Sequence, residues 1–197
     1  MEYSALYEKY DDLLKSLKEI IGQSETRVLS DEPDIFFSNN VNFFVKAYLI
    51  TICTYLEAYL QDVAFEHSRR VSERLKQANI PHNFLYGILT KEIKDKDLKY
   101  VDASYEYSKK ELSNIISGNP FKTINAFRLI GIDLSSSEKF LEHKSLVGTI
   151  VDKRNNIIHH NDEASDITFS DLRSHIDFFL EYMLSIDQLL NSRYRYA

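Results

Sequence analysis

The sequence predicts an all-α protein: an antiparallel helical bundle with one long central helix and a C-terminal helix. That last helix follows a segment with an arginine and a histidine, Arg154 and His159, called the Arg–His motif below. Three observations favour this class. Gly (5) and Pro (3) are scarce in 197 residues, whereas β-sheets need such residues in their tight turns. Leu, Ile, Glu and Lys, which are common here, suit long helices. Apolar residues also recur at steps of three and four, the period of an amphipathic helix.

The first helix is predicted over residues 3–21, where the apolar positions share one face. A polar segment follows, with Gly22 and Pro33 as helix breakers, which predicts a linker to the next helix. A second helix is predicted from about residue 41 to about residue 78. Because its first two-thirds is apolar nearly all round, we expect it to be the buried central element.

Shorter helices are predicted in the second half of the chain. The first of them begins at Pro81 and is followed by a predicted loop over 91–103. Two short helices are predicted at about 104–117 and 121–130, and a longer one from 135 to about 159. The last helix is predicted to begin near Thr168, because Thr168-Phe169-Ser170-Asp171 is similar to a capping box with Asp in place of Glu.

The composition indicates a globular chain, with 44% hydrophobic and 27% charged residues. The net charge of -6 does not suggest a general nucleic-acid binder. Residues 1–34 hold nine acids against four bases, so the rest of the chain carries only -1. Any contact with nucleic acid must therefore come from a local cleft, which excludes a storage or packaging protein.

The single cysteine, Cys53, excludes an internal disulfide and a Cys-cluster metal site. It lies in an apolar stretch, so we expect a buried, unreactive thiol. The N-terminus lacks a basic segment followed by an apolar run, which predicts no signal peptide. Polar residues interrupt the apolar segment 41–65, which favours a core helix over a membrane span. The expected location is the cytoplasm.

Arg154 occupies an unusual position on the apolar stripe that includes Val151 and Ile158. A buried guanidinium needs a partner or a wet cleft, so we expect Arg154 to point into a groove or an interface. Glu57 lies in the apolar part of the central helix. It either pairs with Arg154 and orients it, or reaches solvent at a seam of the bundle.

The residues after Arg154 point in two directions on a helix. Asn155 and His159 are four residues apart and share one face, and Asn156 and His160 share another. Arg154 and His159 are five residues apart and diverge by about 140°. They can converge only if the helix ends near His159 or if a second chain completes the site.

These residue types suit RNA cleavage by attack of the ribose 2′-OH on the adjacent phosphate. Histidine moves protons near neutral pH, and an arginine fork matches the geometry of a phosphate. An asparagine amide can hold a phosphoryl oxygen or fix the histidine tautomer. No metal is required, and the six histidines form no recognised metal-binding spacing.

A basic segment at the end of the central helix has two interpretations. It contains Arg69, Arg70, Arg74 and Lys76. Such charge runs are usually solvated helix faces, and that reading is favoured over a face that contacts RNA.

The segment Arg154-Asn155-Asn156-Ile157-Ile158-His159 resembles the Arg-Asn-x-x-x-His motif of HEPN domains. Leu56-Glu57-Ala58-Tyr59 is similar to the central helix of the RiboL-PSP and MAE-type HEPN groups. The resemblance covers about 40–190 as a HEPN-like core. Residues 1–39, the N-terminal helix and linker, have no assigned counterpart. We expect a single HEPN-like domain over 1–197.

HEPN domains are helical bundles that commonly dimerise, so that two Arg–His motifs meet in one cleft. Many are metal-independent endoribonucleases that leave 2′,3′-cyclic phosphate and 5′-OH ends. The resemblance implies Arg154 and His159 as the catalytic pair with Asn155 between them. We expect Glu57, Asn156 and His160 to be supporting residues. His160 lies where variants with longer spacing place their histidine.

The same resemblance implies an RNA substrate, a homodimer, no cofactor or metal, and a toxin or antiviral defence role with a cognate antitoxin or defence-system partner. Two other classes stay open. A non-catalytic HEPN module that binds a partner protein or nucleotide predicts Arg154 locked in a closed salt bridge. A structural bundle unrelated to RNA predicts an exposed Arg154 and no cleft.

Overall fold

A computed structural model describes residues 3–160 and 163–194 of the chain. Within these ranges the chain forms eight α-helices and no strand, which confirms the all-α class. The helices are α1 (Ala5–Leu29), α2 (Ile35–Asn39), α3 (Val41–Gln77), α4 (His82–Thr90), α5 (Lys109–Ile115), α6 (Pro120–Leu129), α7 (Glu138–His160) and α8 (Phe169–Tyr194). Short 3-10 helices occur at Asp95–Asp97 and Leu134–Ser136.

Helices α1, α3, α7 and α8 pack together as the bundle. Helices α1 and α7 run in one direction, and α3 and α8 run in the other. Two contacts between each pair of helices fix these directions. Helix α1 contacts α8 through Lys18–Asp177 and Glu25–Arg173, and α3 through Tyr10–Asp62 and Ser24–Tyr48. Helix α8 contacts α3 through Tyr48–Phe169 and Tyr59–Met183, and α7 through Phe140–Tyr182 and His143–Phe178.

The central helix is α3, whose bounds agree with the prediction. One window of α3, with a mean hydropathy of 1.3, is long and apolar enough to cross a membrane by length and composition alone. Core helices of soluble proteins share that property. Here Leu49, Ile52, Leu56 and Leu60 have no exposed surface, because α1, α7 and α8 all pack on α3. The packing is that of a core helix.

Helix α1 continues eight residues beyond the predicted end at residue 21. Gly22 lies inside it, although a helical Gly costs about 1 kcal/mol relative to Ala. Tertiary contacts offset that cost: the Ser24 hydroxyl lies 2.7 Å from the Tyr48 hydroxyl, and Glu25 pairs with Arg173 at 2.7 Å. The prediction of a linker directly after Gly22 was therefore wrong, because local propensity yielded to packing.

The start of α8 has the predicted cap. Thr168 Oγ1 accepts a hydrogen bond from Asp171 N, and Asp171 Oδ2 accepts one from Thr168 N. Helix α5 begins later than predicted, because the capping box of Ser108 and Glu111 sets its first turn. The Asn161-Asp162 pair, which follows α7 in the sequence, lies outside the described residues.

The basic end of α3 is engaged with acids on the surface. Arg69 pairs with Glu66 and Glu73, and Arg70 also pairs with Glu66. Lys76 Nζ lies 3.2 Å from a Glu106 carboxylate oxygen. This arrangement agrees with the solvated-face interpretation, because the nearby acids already balance these cations.

Candidate active site

A cleft of about 320 Å³ opens where the end of α7 faces the middle of α3 and the turn between α5 and α6. Helix α7 supplies one wall, α3 the second and the α5–α6 turn the third. The residues that line it are Glu57, Ser117, Gly118, Asn119, Lys122, Val151, Arg154, Asn155 and His159. The structure therefore brings four of the six predicted site residues to one place.

Arg154 points from α7 towards α3, where its Nη2 donates a hydrogen bond to Glu57 Oε2 over 2.9 Å. The Arg154 side chain is 15% exposed and the Glu57 side chain 32% exposed, so water reaches the pair from one side. Among the described residues, the Arg154 Nε atom is buried and has no hydrogen-bond partner. A buried donor of this kind is costly unless a ligand or water satisfies it. The exposed part of the guanidinium lines the cleft, where an anion could meet it, whereas Nε lies below the surface.

Asn155 and His159 complete the α7 wall. Helix α7 reaches His160 without interruption, so the angular divergence of Arg154 and His159 is real. If Arg154 defines 0° around the helix, Val151 lies at about 60°, Asn155 at about 100° and His159 at about 140°. The cleft is wide enough to include this whole sector. His159 is exposed in the last turn, and the side chains of His159 and Asn155 make no hydrogen bond or ion pair with a described residue.

Asn156 and His160 lie outside the cleft. They follow Asn155 and His159 by one residue each, which turns them a further 100° around α7, and both are exposed. Of the two adjacent histidines, only His159 lines the cleft with Arg154. Ile158 is also 48% exposed, so the apolar stripe of α7 ends at Ile157, which is buried.

The α5–α6 turn is the part of the cleft that the sequence did not indicate. Its Gly118-Asn119-Pro120 segment predicted a break between two helices but carried no sign of a site. Asn119 caps α6, since its Oδ1 accepts from Phe121 N and Lys122 N. Lys122 then enters the cleft from the first turn of α6. Only tertiary packing places this turn beside α7, so no local pattern could have revealed it.

The loop between α7 and α8 is tied to two helices. Asn42 Oδ1 on α3 accepts a hydrogen bond from Ala164 N at 3.1 Å. Lys153 Nζ lies 2.9 Å from the Glu163 carbonyl oxygen and 2.9 Å from an Asp166 carboxylate oxygen. These contacts hold the end of α7, and hence the histidine of the cleft, against the bundle.

Cys53 lies beneath the cleft on α3 and is completely buried. Burial raises the pKa of its thiol to about 12, although the nearby positive charge of Arg154 acts in the opposite direction. The expectation of a buried thiol is confirmed. Cys53 is therefore a neutral packing residue under Arg154.

The described residues contain no group of three or more His, Cys, Asp or Glu that could hold a metal ion. The groups available for chemistry in the cleft are a guanidinium, a carboxylate, an imidazole, an ammonium, a hydroxyl and two amides. Such a set can bind a phosphate and move a proton beside it.

The fold and the cleft define a class of helical domains with an Arg–His motif on the penultimate helix of the bundle. The model of the family RiboL-PSP-HEPN matches residues 5–192. The chain therefore belongs to the RiboL-PSP-HEPN family. The match begins in α1, a segment for which the motif resemblance implied no counterpart. No curated protein and no solved structure matches the chain.

Proposed function

We propose that the protein is a metal-independent endoribonuclease whose active site is the Arg154–His159 cleft. One observation carries the proposal: Arg154, Asn155 and His159 line the same cleft, although the helix turns by about 140° between the first and the last of them. Membership of a HEPN family, in which many domains are ribonucleases, supports the same conclusion.

In the proposed reaction the ribose 2′-oxygen attacks the adjacent phosphorus, and the bond from phosphorus to the 5′-oxygen breaks. The products are a 2′,3′-cyclic phosphate and a 5′-OH end. Arg154 binds the phosphoryl oxygens, where negative charge accumulates in the transition state. Asn155 donates its amide to one of these oxygens. His159 transfers a proton, either from the 2′-OH or to the leaving 5′-oxygen.

A single histidine serves one of the two proton transfers. We propose that the protein acts as a homodimer in which the two clefts meet, so that His159 of the partner subunit serves the other. The exposure of His159 at the end of α7 supports this arrangement. We further propose a cytoplasmic toxin or antiviral effector restrained by an antitoxin or another defence-system partner.

A test of the site is cleavage of a mixed RNA pool in EDTA, with end-group analysis of the products. Wild type is expected to cleave and leave cyclic phosphate and 5′-OH ends, whereas Arg154→Ala and His159→Ala are expected to lose at least 100-fold in rate. His160→Ala and Asn156→Ala are matched controls, because both residues are exposed on α7 outside the cleft. Equal loss in the His160→Ala control, or no cleavage by folded wild type, contradicts the assignment.

A second candidate function is favoured by the ion pair of Arg154 with Glu57. A guanidinium held by a carboxylate suits a non-catalytic HEPN module that binds a partner protein or a nucleotide. That function predicts a folded wild type that binds its ligand through the cleft and does not cleave RNA. The third class, a structural bundle unrelated to RNA, is disfavoured because it required an exposed Arg154 and no cleft, whereas Arg154 is 15% exposed within one.

A further inference from the structure

The α5–α6 turn packs along α7 in the reverse chain direction and extends the cleft wall away from the Arg–His motif. A Cβ atom on Gly118 would lie 3.4 Å from a methyl group of Val151, and one on Gly148 would lie 3.9 Å from the Pro120 ring. The following residues of the turn therefore reach earlier positions of α7. This brings the first turn of α6 beside a part of α7 that the Arg–His motif does not include.

Two lysines lie along this wall. Lys122 is exposed and lines the cleft with Arg154, and Lys144 on α7 is half-buried. Neither lysine has an ion-pair partner among the described residues. Lys144 lies at about 80° around α7, between Arg154 at 0° and Asn155 at about 100°. Two lysines without ion pairs therefore adjoin the Arg154–Glu57 pair on one side of the molecule, which complements the charge of a polynucleotide backbone.

An exposed aromatic ring lies beside Lys144 and precedes Lys122 in the chain. Phe121 is 58% exposed, and Lys144 Nζ lies 4.1 Å from its ring centroid. A cation at this distance interacts favourably with the ring. Exposed aromatic rings beside basic residues are the combination that binds single-stranded nucleic acid, because every base has a face that can stack on them.

The backbone of the α6 N-terminus does not supply the anion contact. Pro120 has no N–H. The Phe121 and Lys122 amides donate to Asn119 Oδ1, and the Thr123 amide donates to the Asn119 carbonyl oxygen. The first amides of α6 are thus already occupied. Side chains must therefore recognise any ligand bound here.

We infer that Phe121, Lys122 and Lys144 form a binding subsite for the nucleotides that adjoin the scissile phosphate of a single-stranded RNA; this rests on the proposed function. Lys122 pairs with a backbone phosphate, and Phe121 stacks on a base. Lys144 supports the ring and adds charge about 16 Å along α7 from Asn155. A base inside a duplex cannot offer its face to Phe121, so the subsite selects unpaired RNA.

The test is fluorescence anisotropy with a single-stranded RNA in which every ribose is 2′-O-methylated. Such RNA lacks the attacking hydroxyl, so binding is measured apart from cleavage. Phe121→Ala is expected to weaken binding about tenfold, and Phe121→Tyr is expected to retain it. Lys122→Ala is expected to weaken binding. It should also make the negative slope of log affinity against log salt shallower by about 0.7, because one phosphate contact is lost. With cleavable RNA, Phe121→Ala is expected to raise KM and leave kcat unchanged.

Two matched controls are available in the chain. Lys139→Ala removes an exposed lysine from the same helix, about 140° around α7 from Lys144. Phe84→Ala removes a ring on α4 that is 64% exposed. Both are expected to bind the RNA as wild type does.

The outcomes separate the subsite from the catalytic assignment. If Phe121→Ala and Lys122→Ala bind the methylated RNA as tightly as wild type, the subsite is wrong even when wild type cleaves RNA. The subsite is also wrong if wild type binds a duplex as tightly as the single strand, or if it does not bind the single strand. If wild type binds without cleaving and these two variants bind more weakly, the subsite stands and the proposed catalysis fails.

Discussion

Arg154 donates a hydrogen bond to Glu57 over 2.9 Å, and this contact joins residues 97 positions apart in the chain. The carboxylate fixes the direction of the guanidinium and balances its charge within the bundle. One side of the pair meets the cleft, so the exposed part of the guanidinium faces the space where a ligand would bind. The same contact joins α3 to α7 and lines the cleft of the proposed active site.

This ion pair is expected to contribute measurably to the free energy of unfolding. A double-mutant cycle of Glu57→Gln and Arg154→Met, followed by urea unfolding, is expected to give a coupling energy of about 1 kcal/mol. The value is modest because Glu57 remains 32% exposed to solvent, which screens the pair. The exposed pair of Lys76 and Glu106 is the control, with an expected coupling below about 0.5 kcal/mol. Equal couplings in the two cycles would contradict the role given to Glu57.

The cap of α8 is expected to stabilise the helix that follows the Arg–His motif. Thr168→Ala removes the acceptor for Asp171 N and should lower the free energy of unfolding by about 1 kcal/mol. Thr168→Ser keeps the hydroxyl and should restore most of that loss. Thermal unfolding monitored by circular dichroism measures both variants. A loss that is equal in the two would show that the hydroxyl is not the stabilising group.

Periodicity and capping predicted the all-α class, the central helix and the start of α8, because these features depend on nearby residues. The pairing of Arg154 with Glu57 was one of two alternatives, and the apolar surroundings of each residue were its only support. The contact of Ser4 with Asp187 had no local signal at all. Asp187 is 1% exposed and accepts hydrogen bonds from Ser4 at the start of α1, which only the finished bundle brings near.

The cleft also combines a wall that the sequence predicted with one that arises from tertiary packing. The Arg–His motif predicted the α7 wall, because an arginine on an apolar stripe is costly without a partner. The wall formed by the α5–α6 turn arises from packing of Gly118 against Val151, which no spacing in the sequence encodes. For this reason the sequence predicted that Asn155 and His159 belong with Arg154 but did not predict that Lys122 lines the same cleft.

The thiol of Cys53 is expected to be unreactive in the folded protein. Burial raises its pKa to about 12, so the thiol is protonated at pH 8, and reagents also lack access to it. A maleimide or disulfide reagent at pH 8 should label no thiol without denaturant and one thiol per chain in urea. Rapid labelling of the native protein would contradict the packing of α3 beneath the cleft. Because Cys53 is the only cysteine, the assay needs no background variant.

The contribution of Asp62 to stability is expected to depend on pH. Burial raises the pKa of this carboxyl, but hydrogen bonds from Lys109 and Tyr10 outweigh that effect and hold the pKa below its usual value. A carboxyl whose pKa is lower in the folded state contributes stability above its unfolded pKa of about 4, and the contribution is lost as pH falls through the folded pKa. Asp62→Asn should therefore reduce the free energy of unfolding by about 1 kcal/mol at pH 7.

The difference between wild type and Asp62→Asn should shrink as pH is lowered from 5 towards 2, as measured by urea unfolding at each pH. Asp12→Asn is the control, because it removes the same charge from an exposed position on α1. That variant should lie within about 0.5 kcal/mol of wild type at every pH. If the Asp62→Asn difference is the same at pH 7 and pH 2, the hydrogen bonds between α1, α3 and Lys109 do not stabilise the ionised carboxylate, and packing alone accounts for its contribution.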